Sequence, residues 1–335
     1  MQFKKSFSLT FLTALFSTSL MATPSSAQEV QVYTYDSFSA DWGAGPKVKA
    51  LFEQTHPQCQ VNYVPFDSTG VMFNRIRLEG KKSKADIVLG LDQTMLEEAK
   101  KTSLFAEHQV PMAQLSLPEK WEDKVFLPYD FGAYAFVYHK EKLPNPPKSL
   151  KELVDNQQLR IIYQDPRTSG VGRGLVILMN EVYGDDVEAA WKKLARHTVT
   201  VGKGWSETYG AFLKGESDLV FSYNTSPLYH LLNDKDANYA ATDFSEGQVL
   251  QIETAARMAN HPNACADAFM QFLITPEAQR QISQKNIMFA VIDEKIEPHF
   301  DALKQAQQSK TTLGSGVNTE QLKQWTNTWQ ASLTQ

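Results

Sequence analysis

From Val30 onward, short runs of apolar and β-branched residues alternate with amphipathic stretches. VQVYTY (30–35) predicts a strand, and Pro46 opens a helix carrying Val48, Leu51 and Phe52 at helical spacing. QVNYVPF (60–66) predicts a second strand, and residues 71–78 a helix that Gly80 ends. ADIVLGLD (85–92) is apolar on both faces, the mark of a buried strand, and a helix follows it to about Lys101. This βαβαβα order predicts a parallel sheet with helices on both faces.

A second unit repeats the logic. Strands are expected at AYAFVYHK (133–140), RIIYQD (160–165), TVTVG (198–202) and SDLVFSY (217–223), with helices at 149–154, 174–183, 187–194, near 207–213 and at 227–232. A late strand, QVLQIETAARM (248–258), precedes two helices separated by Thr275-Pro276-Glu277, where Thr caps and Pro takes the first helical position. Two units of similar size without a low-complexity linker predict an α/β protein of two lobes joined by crossing strands. In such sheets ligands sit beyond the carboxyl ends of the strands, so the chemistry belongs in the strand-end loops.

The N-terminus departs from this pattern. Lys4 and Lys5 precede an apolar, hydroxyl-rich stretch from Phe7 to Ala22, and Ser25 and Ala27 hold the −3 and −1 positions of a cleavage site before Gln28. Residues 1–27 therefore read as a signal peptide, which sends the chain to the periplasm. The apolar run is short for a membrane span. That segment carries two lysines and no acid, so its removal takes the net charge from −5 to −7. A mildly acidic chain without a basic block is a poor binder of nucleic acid. Cys59 and Cys265 stand alone and far apart, and the sequence leaves open whether they pair.

The strand ends share a composition. Tyr35-Asp36-Ser37 and Trp42 follow the first strand, and Asp67-Ser68-Thr69-Gly70 the second. Asp165 to Gly170, Lys203-Gly204-Trp205-Ser206, and Tyr223-Asn224-Thr225-Ser226 with Tyr229 follow strands of the second unit. Tyr and Trp faces stack on flat rings and attract delocalised cations. Ser, Thr and Gly at helix starts offer hydroxyls and N–H groups to a polar or anionic tail. Each residue also has a structural reading: Ser169 and Ser226 suit helix caps, and Tyr35 and Tyr223 suit a sheet rim. Their recurrence at one edge of both units favours a site for an aromatic cation. Trp325 and Trp329, one helical turn apart near the C-terminus, read as packing residues. No GxSxG, HExxH, CxxC or phosphate-loop motif is present, and no cofactor or metal is expected.

These loops, in this order, resemble those of the periplasmic thiamine-binding proteins of bacterial ATP-binding-cassette importers. The resemblance spans nearly all of the chain after residue 27. Its specific runs are VYTYDSFSADWG (32–43), NRIRLEGKKSKADIVLGLD (74–92), NPPKSLKELV (145–154), IIYQDPRTS (161–169), KGWSETYGAFLKGESDLVFSYNTSP (203–227) and NYAATDFSEG (238–247). It implies a group II periplasmic binding fold with the ligand cleft between its lobes. Residues 28–130 and about 248–298 would form one lobe, and 131–247 and about 299–335 the other, hinged near 128–134 and 244–250. It further implies thiamine or its phosphates as ligand, a membrane permease as partner, and no catalysis. Tyr35, Trp42, Ser68, Thr69, Ser169, Gly170, Trp205, Tyr223, Asn224, Thr225, Ser226 and Tyr229 are the expected ligand contacts.

Two positions depart from the family pattern. Ile287 stands where the family carries a Trp, so either Phe289 supplies the missing ring or affinity is lower. The DSTG loop at 67–70 differs in local spacing. Polyamine or ferric-ion binding, and a thiamine-degrading transferase with a nucleophilic Cys, are the competing readings. The transferase is disfavoured because neither Cys stands at a strand end beside a base.

Overall fold

The N-terminal alternation folds as it reads in the structure, a computed structural model describing residues 27–333. The predicted signal segment lies outside the described residues except for Ala27. β1 (Gln28–Tyr35) leads through one turn, α1 (Asp36–Ser39), to α2 (Gly45–Thr55), β2 (Cys59–Phe66), α3 (Thr69–Glu79), β3 (Ile87–Asp92) and α4 (Leu96–Lys101). β1 pairs in parallel with β2 on one side and β3 on the other. Every residue of β3 is buried, which explains its unbroken apolar run. Ser68 caps α3 by accepting from the Val71 amide at 3.3 Å, and Gly80 ends it at φ +54°.

After the short β4 (Phe105–Ala106) comes β5 (Phe126–His139), which begins seven residues before the strand expected from 133. Then follow α5 (Leu150–Asp155), β6 (Ile161–Gln164), α6 (Gly170–Tyr183), α7 (Val187–Ala195), β7 (Thr198–Gly202), α8 (Trp205–Leu213), β8 (Leu219–Tyr223), α9 (Ser226–Tyr229), β9 (Tyr239–Ala241) and β10 (Gln248–Met258). The chain closes with α10 (Ala264–Phe272), α11 (Pro276–Asn286), α12 (Pro298–Gln308), β11 (Thr312–Leu313) and α13 (Thr319–Leu333). Thr275 caps α11 through the Ala278 amide, with Pro276 at its start, as the sequence indicates.

The strands follow one path, β2-β1-β3-β10-β5-β8-β6-β7. Its outer parts are parallel, but the two central strands run antiparallel to their neighbours. β5 pairs with β10 as far as Ala133 and with β8 from Tyr134 onward. One strand thus serves both halves of this two-lobed fold. Phe131 points into a core with Val32, Phe38, Phe52, Phe269 and Phe289, whereas Phe136 joins Tyr163, Trp191, Phe221 and Trp329 in another. Phe300 is buried in the first core. Leu303 of the same helix packs against that core as well. Trp329 is buried and donates from Nε1 to the Tyr163 hydroxyl at 3.0 Å, while Trp325 is half-buried against the second core.

Cys59 at the start of β2 is bonded to Cys265 in α10. Asn263 caps α10 by accepting from the amides of Cys265 and Ala266. Among the described residues no helix is long and apolar enough to cross a membrane.

Candidate functional site

A cavity of about 310 Å³ opens where strand ends of both halves meet, at the small end of the range for small-molecule sites. The first half contributes Tyr35, Asp36, Ser37, Trp42, Asp67, Ser68 and Thr69. The second contributes Ser169, Gly170, Val171, Trp205, Ser206, Tyr209, Tyr223, Ser226 and Tyr229. Gly210 and Leu213 of α8, Gln251 and Glu253 from β10, and Lys285, Asn286, Ile287 and Met288 around the end of α11 complete the lining. Ten of the twelve residues expected from the sequence thus surround one cleft.

The aromatic walls are held from behind. Trp205 stacks on Tyr209 with centroids 4.8 Å apart and planes at 20°. Its Nε1 donates to the Ser222 hydroxyl at 2.7 Å, and Ser222 bonds in turn to Ser226. The Tyr209 hydroxyl meets His230 Nε2 at 3.0 Å, and His230 Nδ1 meets Asp234 at 3.0 Å. Trp42 approaches Trp205 from the other half at 6.4 Å and is 46% exposed. Tyr223 stacks on Tyr134 at 5.5 Å, and the Tyr134 hydroxyl donates to the Gly170 carbonyl.

The hydroxyl residues divide by role. Ser169 precedes α6 but makes no side-chain cap bond, so its hydroxyl is left for the cleft. Ser226 accepts from the Tyr223 amide and braces Ser222, a structural duty at the cleft wall. Gly170 has no room for a side chain, since a Cβ there would lie 2.2 Å from Asp92 Oδ2.

Two of the expected residues lie outside the cleft lining. Asn224 is stitched to the crossing strand: its amide donates to the Ala133 carbonyl at 2.8 Å, and its Nδ2 to Gln307 Oε1 at 3.0 Å. Thr225 is fully buried, its hydroxyl against the Met288 sulfur. Both turn away because the β5–β8 ladder runs on through Tyr223 into this turn. Phe289 does not stand in for the ring missing at Ile287 either. It is buried against Phe131 at 5.4 Å, while Ile287 itself lines the cleft at φ +57°. A β-branched residue in that left-handed region carries strain of about 1–3 kcal/mol.

The floor of the cleft escaped sequence reading. Glu253 and Asp130 sit directly opposite each other on β10 and β5. Tyr35 and Tyr129 donate to Glu253 Oε2 at 2.8 and 3.2 Å, and Asn286 donates to Asp130 Oδ2 at 2.6 Å. Burial pushes Glu253 up to about 7, against the lowering hydrogen bonds from Tyr35, Asp130 and Tyr129. Burial and the Glu253 charge hold Asp130 well above the usual carboxylate range. Lone acids inside the apolar runs FLPYDFG and QIETAA were the available signal, because a strand interior rarely buries a charge without a purpose. Among the described residues no group of three or more His, Cys, Asp or Glu side chains could hold a metal ion.

A stability consequence follows. An acid with a raised folded-state pKa keeps its proton in the fold where the unfolded chain has lost it, so stability falls as pH rises from the ordinary value of 4.5 toward about 7. The ligand-free protein is expected to melt at a higher temperature near pH 5 than near about pH 7.5, and Glu253→Gln should shrink that difference. Calorimetric melts of both forms across this range check it, and an unchanged difference in the variant rules it out.

Several bonds cross the cleft. Arg173 of α6 pairs with Asp92 at the end of β3 at 3.0 Å and donates from Nε to the Thr94 hydroxyl. The Gly70 amide donates to the Thr168 carbonyl at 2.9 Å, and Ser206 to Asp36 at 3.1 Å. The halves are therefore drawn together in a closed arrangement.

The profile of the bacterial extracellular solute-binding proteins matches residues 35–280. A thiamine-binding periplasmic protein of Haemophilus influenzae is 64% identical over 323 residues, 96% of this chain and 97% of that one. One of Escherichia coli with the same name is 49% identical over 304 residues, 90% of this chain and 92% of that one. A solved structure named periplasmic thiamin binding protein superposes at TM-score 0.85 with 46% identity, covering 92% of this chain and 97% of that chain. The apo ferric ion-binding protein A of Pasteurella haemolytica, at TM-score 0.69 and 18% identity, shares the fold alone. On profile, identity and fold together, the chain belongs to the bacterial extracellular solute-binding protein family.

Proposed function

We propose that this chain is a periplasmic receptor that captures thiamine or a phosphate ester of it and delivers it to the permease of an ATP-binding-cassette importer. The observation that carries this reading is the pairing of aromatic walls with a buried acidic floor. Trp205 and Tyr223, each backed by a stacked ring, face a cleft whose floor holds Glu253. A flat organic cation satisfies both features: its rings lie against the walls, and its charge meets the carboxylate. The starts of α3 and α6, with Ser68, Thr69 and Ser169, suit the hydroxyethyl or phosphate tail. The names of the relatives, identical at 64% and 49%, point the same way.

Capture proceeds by closure. The ligand binds the closed arrangement more tightly than an open one and so shifts the population toward it. No chemistry is assigned to the site. Cys59 and Cys265 are bonded to each other, so neither offers the thiolate that a thiamine-degrading transferase needs.

Isothermal titration of the chain from Gln28 onward with thiamine, spermidine and ferric citrate tests the reading. Saturable binding of thiamine alone is expected; binding of spermidine or iron without thiamine overturns it. Trp205→Ala is expected to lose about 2 kcal/mol of thiamine affinity, roughly thirtyfold, because it removes a ring that is preorganised by Tyr209 and Ser222. Unchanged affinity in that variant would remove Trp205 from the wall.

A further inference from the structure

We propose that Asp130 and Glu253 share a proton in the empty receptor and read the positive charge of the ligand by giving that proton up when the cation arrives. The inference rests on the reading that the ligand is a thiamine-type cation, and it concerns how the site selects that charge.

Geometry carries it. The β5–β10 register sets the two acids side by side, and Asp130 is fully buried while Glu253 is 5% exposed. Glu253 Oε2 accepts from Tyr35, Tyr129 and Asn286, and Asp130 Oδ2 accepts from Asn286, yet Asp130 Oδ1 is buried with no N–H or hydroxyl donor to accept from. Among the described residues neither acid is in an ion pair with Lys, Arg or His. The groups facing the pair are few. β1 offers Tyr35, β5 Tyr129 and Tyr134, and β8 Tyr223, all neutral hydroxyls that burial holds far from ionising. β3 offers Asp92, whose charge raises Glu253 further, and the nearby Arg173 of α6 is committed to Asp92. Lys285, in the last turn of α11, lines the same cleft without pairing to either acid.

Two adjacent buried carboxyls lacking a counter-charge cannot both ionise, so one proton stays between them. A permanent cation in the cleft supplies the missing charge, the O–H bond breaks, and the proton passes to solvent. A neutral molecule of similar shape cannot displace it, which makes the pair a filter for charge behind walls that select for flat rings.

Titration calorimetry with thiamine in two buffers of different ionisation enthalpy counts the protons. Release of about one proton per ligand near neutral pH is expected, with affinity falling as pH drops and approaching tenfold per unit. Glu253→Gln and Asp130→Asn should each reduce the count toward zero. Should these variants fail to fold or bind, the count for the unaltered protein decides. Saturable thiamine binding with no proton release and a flat affinity between about pH 5.5 and 8 overturns the proposal and leaves the thiamine reading intact. Full release in both variants also overturns it, since the proton then comes from elsewhere. Absence of thiamine binding at any pH removes the reading itself, and the proposal with it.

Discussion

Serine in place of both Cys59 and Cys265 is expected to lower the unfolding free energy by about 5 kcal/mol, the largest stability change expected of any substitution considered. The bond closes a loop with a sequence separation of 206 residues. The entropy removed from the unfolded chain grows with the logarithm of loop length, and a loop of this size reaches the upper end of what a disulfide contributes. The same bond ties the start of β2 to α10, and Cys59 and Cys265 are buried in the first core beside Phe52 and Phe269. Urea unfolding of the oxidised protein and of the double variant, each fitted with its own m-value because the uncrosslinked unfolded chain exposes more surface, measures the difference. A loss below about 1 kcal/mol would mean that the unfolded chain gains little freedom when the bond is absent. Thiamine binding at room temperature should survive, because neither sulfur lines the cleft.

Arg173→Met is expected to weaken thiamine binding by a hundredfold or more. Asp92 is completely buried, and its carboxylate depends on the Arg173 guanidinium at 3.0 Å, on the Thr94 amide at 2.9 Å and on the Thr94 hydroxyl. Removing the arginine strands a buried charge, which costs about 3–5 kcal/mol. The pair joins the end of β3 to the first turn of α6, so the penalty falls on the closed arrangement and is read as lost affinity. Asp92→Asn combined with Arg173→Met should bind better than Arg173→Met alone, since neither charge then remains. Equal affinity of Arg173→Met and the unaltered protein would show that the ion pair does not hold the halves together.

Most of the cleft wall was legible in the chain before any coordinates. Tyr35, Trp42, Trp205 and Tyr223 follow strands, and the ends of strands in a wound α/β sheet face the ligand crevice. That rule needs only the order of elements, which the alternation of apolar and polar residues carries. It does not separate Asn224 and Thr225, which lie outside the cleft lining although they sit in the same loop as Tyr223. Which side a turn residue faces depends on the ladder beside it, and here Asn224 continues the pairing with Ala133. At Ile287 the family comparison identified the position that matters, but only packing shows that Phe289 turns toward Phe131 and leaves the ring unreplaced.

By itself, the sequence determined the local elements, the two-unit order and the edge of the sheet where a ligand would sit. Those follow from the periodicity of side chains over a few residues, which sets the buried face of each element wherever its partner lies. Tertiary structure alone decided the change of partner along β5, the bond between Cys59 and Cys265, and the meeting of Asp130 with Glu253. Each of these joins positions more than a hundred residues apart or depends on strand register. Nothing in a short window of sequence encodes which distant residue will be its neighbour.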